Sequence, residues 1–371
     1  MKFTTSKPVL ASTIGTVQKV VSTRSPLPIL SGILLELYGN SLTVTGSDME
    51  LTIQCTANVE MEEEGSIVLP IKYIADLVRH LPDVPIKFHT LRESTSTTIT
   101  YGTSQLNIHG FPPEQYPRLP AIENGLKFSL SQTLLKDMLR QVLFAVSNDE
   151  TRPIFTGVLL QIDQNVMRMV ATDTCRLAVR SLPLERELEQ KINIIIPGKT
   201  LNEVARLTGG GEEEKEITII CGENHVYFLS ETVKISSRLI AGQYPPYEQV
   251  IPREYITRAR LVTREVLEAT ERASLLVRDG HPVIQFSLYE NTCVVSVQAQ
   301  AGWIREEITC EIEGEPVEIW FNARYMSDSL RALGSEELWL ELTGPLSAAV
   351  LRPPHEDNYL SLLLPSKPPK G

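Results

Sequence analysis

The sequence predicts an α+β fold built from three tandem copies of one helix-and-sheet unit. Three observations lead to this prediction. An apolar stripe with helical spacing recurs three times, a strand that runs into a second helix recurs three times, and two proline-rich segments separate the copies. The proline-rich segments share a Tyr-Pro pair, at Tyr116-Pro117 and Tyr244-Pro245. We therefore expect three domains, at residues 1–123, 124–254 and 255–371.

The apolar stripe predicts the first helix of each copy. Its members step along the chain by four, three and four residues, which places them on one face of a helix. We expect helices over residues 7–24, 131–147 and 262–277. The three stripes are Leu10, Ile14, Val17 and Val21; Leu135, Leu139, Val142 and Val146; and Val262, Val266, Ala269 and Ala273.

A second helix is predicted later in each copy, directly after an apolar strand. The segments SIVLPIKYIADLVRHL, NIIIPGKTLNEVARL and EIWFNARYMSDSLRAL match one another in this respect. Pro70 and Pro197 are suited to the start of a helix, and Asn322 is a good N-cap residue. We expect these helices over residues 70–81, 197–208 and 322–333.

Strands and a hairpin lie between the helices. The strand LPILSGILLEL recurs as RPIFTGVLLQI and, more loosely, as HPVIQFSLYE. The next segment, LTVTGSDMELTIQ, recurs as MRMVATDTCRLAV, so that Asp48 and Asp173 occupy the same turn. Asp173, Cys175 and Arg176 could serve nucleophilic chemistry. An acid that is present in two copies and absent from the third indicates instead that it bonds the backbone amides of the turn.

Composition and cysteine usage narrow the class of protein. The chain has 371 residues, a formal net charge of −11 and no apolar run long enough for a signal peptide or a membrane span, so we expect a soluble, cytoplasmic protein. Its five cysteines are scattered and include no C-x-x-C pair, which predicts free, mostly buried thiols. We expect no metal and no cofactor.

Basic residues are concentrated in the six helix spans. These spans contain 13 Lys or Arg and 7 acidic residues, a net charge of +6, whereas the rest of the chain carries −17. Basic helices on an acidic body are what a protein needs if its helices face a polyanion. The alternative is that Lys and Arg simply favour the solvated faces of helices. The first helix span of the third copy, with a net charge of −1, favours that alternative.

Together, the threefold unit, the LPILSGILL strand, the TD-x-x-RL hairpin and the terminal NYLSLLLP resemble the bacterial sliding clamp family, the β subunit of the replicative DNA polymerase. The resemblance covers essentially the whole chain. It implies a head-to-tail homodimer of three-domain chains, which closes a six-domain ring around double-stranded DNA with helices lining the central hole. It also implies a processivity factor that has no catalytic activity of its own.

The resemblance also implies which residues face DNA. Arg24 matches a DNA-facing arginine of the family, and Lys199 lies in a loop that faces DNA. The loop NDETRPIF is where the family often has aromatic DNA contacts, whereas this chain has Arg152 there. Basic positions on the helices complete the expected DNA-binding set, namely Lys72, Lys136 and Arg140.

Two protein-binding regions follow from the same resemblance. The dimer contact is expected between an edge strand carrying Leu106 and Ile108 and a helix end at Ser274 and Leu275. Partner peptides are expected in an apolar cleft between the second and third domains; the partners are the catalytic subunit of the replicative polymerase, the clamp loader, and repair and translesion polymerases. The predicted cleft residues are Phe155, Thr172, Thr174, Cys175, Arg176, Leu177, Pro245, Val250, Asn322, Tyr325, Leu346, Ala348, Leu362, Leu363, Leu364 and Pro365.

Two features of this cleft depart from the family pattern. Cys175 stands where a histidine is common, and the chain continues past Pro365 as SKPPKG. Both departures predict an altered preference for partner peptides. Two other classes of protein remain as alternatives. An enzyme is disfavoured because the six histidines have no metal-ligand spacing, and a scaffold that binds only proteins is disfavoured by the basic helices.

Overall fold

A computed structural model describes residues 1–22, 27–91, 95–118, 125–184, 191–208, 215–277 and 282–368. Within these ranges the chain forms six α-helices and 26 strands. The first repeat contains β1 (Lys2–Thr5), α1 (Lys7–Val17), β2 (Gly32–Tyr38), β3 (Ser41–Ser47), β4 (Leu51–Asn58), β5 (Glu60–Glu63), β6 (Gly65–Pro70), α2 (Ile71–His80), β7 (Ile86–Leu91), β8 (Ser96–Tyr101) and β9 (Ser104–His109).

The second and third repeats follow the same plan. The second contains β10 (Leu126–Ser131), α3 (Gln132–Leu143), β11 (Gly157–Asp163), β12 (Val166–Thr172), β13 (Arg176–Pro183), β14 (Ile192–Pro197), α4 (Gly198–Leu207), β15 (Glu216–Cys221), β16 (His225–Leu229) and β17 (Val233–Arg238). The third contains β18 (Thr257–Val262), α5 (Thr263–Ser274), β19 (Val283–Tyr289), β20 (Thr292–Ala299), β21 (Gly302–Thr309), β22 (Glu311–Gly314), β23 (Val317–Asn322), α6 (Ala323–Leu333), β24 (Glu337–Leu342), β25 (Ala349–Arg352) and β26 (Tyr359–Leu363).

All six predicted helices are confirmed, and their lengths are the main correction. The first was predicted to reach residue 24, but α1 ends at Val17 because Thr16, Val17 and the following valines are β-branched and fit a helix poorly. The prediction that Asn322 caps α6 is confirmed, since its side-chain oxygen accepts hydrogen bonds from the backbone N–H groups of Arg324 and Tyr325. Pro70 is the N-cap residue of α2.

The described chain divides into two compact units. The first consists of residues 1–134 and 203–239 and contains two antiparallel sheets. One sheet has the strand order β5-β1-β7-β8-β9, and the other has the order β10-β15-β16-β17-β4-β3-β2-β6. In the larger sheet, β4 of the first repeat pairs with β17 of the second. Helix α1 packs on α2 and on β4, and it buries the predicted stripe residues Leu10, Ile14 and Val17.

The second unit consists of residues 135–202 and 240–371. Its larger sheet has the order β14-β11-β12-β13-β26-β25-β24-β18-β22, and its smaller sheet has the order β21-β20-β19-β23. Here β13 of the second repeat pairs with β26 of the third. Helices α5 and α6 pack together over a core in which Phe286 and Phe321 meet edge to face at 5.6 Å. The three repeats are therefore joined by their sheets as well as by the chain.

Candidate functional site

The turn that carries Asp173 is held by hydrogen bonds from the backbone N–H groups of the turn to the aspartate side chain. Asp173 Oδ1 accepts hydrogen bonds from the N–H groups of Cys175 (2.9 Å) and Arg176 (3.0 Å). Asp48 Oδ1 accepts the equivalent bonds from Glu50 (3.1 Å) and Leu51 (2.8 Å). The residue after each aspartate has a positive φ, 80° at Met49 and 78° at Thr174. The prediction of a structural aspartate in a repeated turn is therefore confirmed.

Arg176 anchors this turn to α6. Its side chain is buried, and it forms ion pairs with Asp173 (3.0 Å) and with Asp328 (2.8 Å). The guanidinium also lies 4.3 Å from the ring centroid of Tyr325 and 5.3 Å from that of Phe144. A buried charge with two carboxylates and two aromatic faces is well compensated. Arg176 therefore fixes the position of the turn against α6.

The side chains next to this turn form an apolar patch. We define the apolar patch as the cluster around Leu177, Leu362, Val179, Tyr244 and Val350. Two predicted cleft residues, Leu177 and Leu362, belong to its buried part, and a third, Ala348, packs against it. Burial in these apolar surroundings raises the pKa of the Tyr244 phenol above its ordinary value.

Exposed apolar side chains lie in segments that border the apolar patch. Leu346 is 76% exposed and Val250 is 58% exposed, and each belongs to a segment that also contributes a side chain to the patch. Phe155 meets Tyr244 edge to face at 6.4 Å, and Pro245 follows Tyr244 in the chain. The backbone N–H of Leu364 donates to the carbonyl of Cys175, at 2.9 Å. An apolar floor with uncovered leucine and valine at its border is suited to a peptide with apolar anchors.

Leu363 differs from its neighbours among the predicted cleft residues. It is 1% exposed, and it packs in the core cluster of the third repeat together with Leu351 and Met326. Adjacent residues of a strand point to opposite faces of a sheet, so Leu362 faces the apolar patch and Leu363 does not. Leu363 therefore packs β26 against the core of the third repeat, on the face opposite the apolar patch. Two polar cleft residues also make hydrogen bonds within the fold. The Thr172 hydroxyl donates to the carbonyl of Arg176, and the Asn322 side chain caps the start of α6.

Arg152 was predicted to face DNA because of the loop in which it lies. In the structure it lies beside the predicted cleft residues. Its guanidinium is 5.6 Å from the ring centroid of Phe155, and its Nη1 donates to Thr174 Oγ1 at 3.4 Å. An ion pair with Asp149 at 2.8 Å holds the side chain there. The hydrogen bonds of Asp149, first from Thr151 and then from Arg152, lower the pKa of its carboxyl. Arg152 thus lies beside Phe155 and Thr174, at the border of the apolar patch.

The other predicted DNA-facing residues are exposed. Lys72 on α2, Lys136 and Arg140 on α3, and Lys199 on α4 all have exposed side chains. Arg24 lies outside the described residues. In the third repeat the arginines of α5 are matched by acids, because Arg264 pairs with Glu268 at 2.7 Å and Arg272 with Glu306 at 2.5 Å.

One further arginine was counted among the basic residues of the helix spans but was not placed in the predicted DNA-facing set. Arg324 on α6 has a side chain that is 80% exposed, and its Nε lies 4.0 Å from Asp328. Arg324 belongs with the candidate DNA-facing set because its charge is accessible.

The predicted dimer-contact residues lie at a strand edge and at a helix end. Leu106 and Ile108 belong to β9, which in the described chain pairs only with β8. Ile108 is buried within its own sheet, whereas Leu106 is half-buried. Ser274 ends α5, and Leu275, directly after it, is 55% exposed. β21, which the sequence reasoning did not single out, is one of the other edge strands and pairs only with β20 among the described strands.

All five cysteines are free thiols, as predicted. Four are buried, and burial raises the pKa of Cys221 to about 12 and that of Cys310 to about 11. Cys175 is exposed at the border of the apolar patch. Within the described ranges, no group of three or more His, Cys, Asp or Glu side chains is arranged to hold a metal ion. No helix in those ranges is long and apolar enough to cross a membrane.

Comparisons with known proteins match the same family along nearly the whole chain. Models of the N-terminal, central and C-terminal domains of the DNA polymerase III β subunit match residues 1–120, 129–246 and 248–367. The β sliding clamp of Halalkalibacterium halodurans is 36% identical over 379 aligned residues, covering 98% of this chain and 99% of that protein. The β sliding clamp of Staphylococcus epidermidis is also 36% identical, with the same coverage of both chains.

Solved structures of sliding clamps have the same fold. The DNA polymerase sliding clamp of Bacillus subtilis has a TM-score of 0.95 at 33% identity, and the alignment covers 99% of each chain. A Pseudomonas aeruginosa clamp bound to griselimycin has a TM-score of 0.93 at 27% identity, again over 99% of each chain. The fold and the hairpin site thus define a three-domain clamp chain. More narrowly, the chain belongs to the family of bacterial DNA polymerase III β subunits, the β sliding clamps.

Proposed function

We propose that two copies of this chain join head to tail in a ring around double-stranded DNA and slide along it without sequence specificity. The family membership supports this proposal, and so do the exposed basic side chains of α2, α3, α4 and α6. Contacts between basic side chains and phosphates carry no sequence information and exchange readily, so they allow sliding. The ring then provides processivity by topology. Such a role requires no covalent step, so we propose no catalytic activity and no cofactor.

The proposed DNA-facing set consists of side chains that do not need to hold DNA tightly. It comprises Lys72, Lys136, Arg140, Lys199 and Arg324, with Arg24 added from the family resemblance. Arg152 is retained as a secondary member, because its contacts with Phe155 and Thr174 favour a role at the apolar patch. We also propose domain boundaries at residues 1–123, 124–254 and 255–371.

The apolar patch is the proposed docking site for partner peptides. Its exposed border residues Leu346, Val250 and Leu364 gain burial when a peptide with apolar anchors binds, and Arg152 and Cys175 lie beside them. The proposed partners are the polymerase catalytic subunit, the clamp loader, and repair and translesion polymerases, all acting in the cytoplasm. The exposed thiol of Cys175 gives this border a smaller side chain than the histidine common in the family.

The observation that carries the encirclement proposal is a three-repeat fold with exposed basic helices, in a chain that matches sliding clamps from end to end. The test is retention on DNA of defined topology. After loading on nicked circular DNA, the protein is expected to co-elute with the circle in high salt and to be released when a restriction enzyme linearises it. Equal retention on circle and linear DNA would show ordinary surface binding and contradict encirclement.

A further inference from the structure

The chain builds the same sheet junction twice. In one unit β13 pairs with β26, and the N–H of Leu364 donates to the carbonyl of Cys175 at 2.9 Å. In the other unit β4 pairs with β17, and the N–H of Arg238 donates to the carbonyl of Glu50 at 2.8 Å. The carbonyls of both bonds belong to the repeated aspartate turn. The sheet face that carries the apolar patch therefore has a structural counterpart beside β4.

The counterpart face is polar where the apolar patch is not. Paired neighbours define one row of side chains across each sheet, and the two rows can be matched position by position. The row at the apolar patch is Ile195, Leu159, Val170, Val179 and Leu360; the matching row is Val68, Leu34, Thr45, Gln54 and Lys234. Beside them, Leu177 and Leu362 are matched by Thr52 and Ser236. Val68 and Leu34 keep the apolar character of Ile195 and Leu159, whereas the other five matched positions are polar at this junction and apolar at the patch.

A groove of about 540 Å³ opens on this second face. Thr45, Gln54 and Tyr116 line it, and Tyr116 is the repeat counterpart of Tyr244. Gln54 Nε2 donates to Thr45 Oγ1 at 3.1 Å, and the Tyr116 hydroxyl donates to the carbonyl of Thr45 at 3.4 Å. These bonds fix the polar side chains in place. We call this feature the polar groove. Its charged lining residues are Glu36, Glu114 and Arg118, and the rest of its lining is Ser66, Leu34, Pro113 and Pro117.

The charged residues of the polar groove form no ion pair with the residues that the structure describes. Glu36 and Glu114 are exposed, and neither forms an ion pair or side-chain hydrogen bond with any residue in the described ranges. Arg118 is likewise unpaired within those ranges. Two carboxylates against one guanidinium leave the lining with a net negative charge. On the same sheet face, beside Ser236, the Tyr227 hydroxyl is buried without a hydrogen-bond partner among the described residues.

We propose that the polar groove is a second peptide-binding site, which takes an extended polar segment carrying a lysine or arginine. The basic side chain pairs with Glu36 and Glu114, and the polar lining excludes the leucine and phenylalanine anchors that suit the apolar patch. A leucine placed against Gln54 and Glu36, which are not fully buried, would strip water from polar groups without replacing their hydrogen bonds. The two junctions therefore select different peptides, and the assignment of the polar groove does not depend on the proposed ring.

The probe for this site is a fluorescein-labelled peptide, Gly-Ser-Lys-Ser-Lys-Gly, titrated with the full-length chain at low salt. Binding of the lysine peptide is expected, and replacement of both lysines by glutamate should abolish it. The double variant Glu36→Gln/Glu114→Gln should weaken binding about tenfold, as expected for the loss of a charged hydrogen bond. Unchanged circular dichroism and melting of the variant would show that these exposed substitutions leave the fold intact.

The matched control is Glu223→Gln/Glu254→Gln, which removes the same charge from exposed positions outside the polar groove. This control should bind the lysine peptide like the unmodified chain. Equal weakening in both double variants would mean general attraction to an acidic protein and would overturn the proposal, as would weakening in neither. An excess of unlabelled peptide with Leu and Phe anchors should leave binding of the lysine peptide unchanged. Displacement of the lysine peptide would place it at the apolar patch and overturn the proposal too.

Discussion

Cys175 differs from the other four cysteines in its exposure and in its location. Burial raises the pKa of the Cys55, Cys221 and Cys310 thiols, which keeps them protonated at neutral pH, and burial acts in the same direction on Cys293. Only the thiolate is a nucleophile, so these four thiols are protected both by access and by protonation. Cys175 is exposed, and its backbone carbonyl accepts the hydrogen bond from the N–H of Leu364.

We therefore expect one thiol per chain to react rapidly with a disulfide reagent such as DTNB at pH 8, and the remaining four to react only after unfolding. Labelling Cys175 with a bulky maleimide should block binding of a peptide with Leu and Phe anchors. The Cys175→Ser variant provides the control, because it should lose the rapid phase of thiol release and keep peptide binding after the same treatment. Rapid reaction of two or more thiols in the folded protein would contradict this account.

Residue roles were predictable where they depend on neighbours in the chain. Asp173 could be assigned to its turn because the amides it bonds lie two and three residues away. Arg152 could not be assigned in this way. Its position in a loop suggested DNA, but its contacts with Phe155 and Thr174 depend on how the chain folds back on itself. The ion pair between Arg176 and Asp328 could not be predicted from the sequence either, because the two residues lie far apart in the chain.

At the scale of elements, helices were predictable and strand faces were not. Each helix is predicted by an apolar stripe at intervals of three and four residues, and a single segment of the chain contains the whole stripe. Three consecutive leucines, Leu362 to Leu364, cross the end of the last strand, β26, which stops at Leu363. No alternation of apolar and polar residues therefore tells which of them faces the patch. The structure assigns Leu362 to the apolar patch and Leu363 to the core. Pairing of β13 with β26, which creates the patch, joins segments far apart in the chain.

The face of each leucine determines what its substitution does. Leu346→Ala should weaken binding of a peptide with Leu and Phe anchors about tenfold, because an exposed side chain loses the burial that binding would give it. Its effect on stability should stay within about 0.5 kcal/mol. Leu363→Ala should instead lower the free energy of unfolding by about 2–5 kcal/mol, because it opens a cavity in the core.

Fluorescence anisotropy and chemical denaturation measure these two effects separately. Ile256→Ala is the control for both, since Ile256 is exposed and belongs to neither cluster. It should change neither peptide affinity nor stability appreciably. Full peptide affinity in Leu346→Ala would remove this residue from the docking site and weaken the assignment of the whole apolar patch.

At the scale of the whole molecule, the repeats share a backbone plan and differ in surface chemistry. The six helices and their supporting strands recur, whereas the charge of the helices falls from the first repeat to the third as acids pair with Arg264, Arg272 and Arg331. The two sheet junctions differ in the same manner, one being apolar and the other polar. Sequence periodicity could predict the shared plan. The sequence also shows the lower charge of the third repeat's helix spans, but it could not predict the ion pairs or the contrast between the junctions, because these depend on partners brought together by folding.

Dimer formation is the property of the whole molecule on which encirclement depends. Leu275 lies exposed at the end of α5, so a partner chain that covers it gains apolar burial, while an aspartate there would have to be buried without a partner. Leu275→Asp should therefore shift the protein at micromolar concentration from a dimer to a monomer of 41.5 kDa, as measured by light scattering. The same variant should no longer be retained on nicked circular DNA. Leu91→Asp, which changes an equally exposed leucine outside the proposed contact, should remain dimeric and retained. A dimeric Leu275→Asp protein would mean that the chains join through another surface.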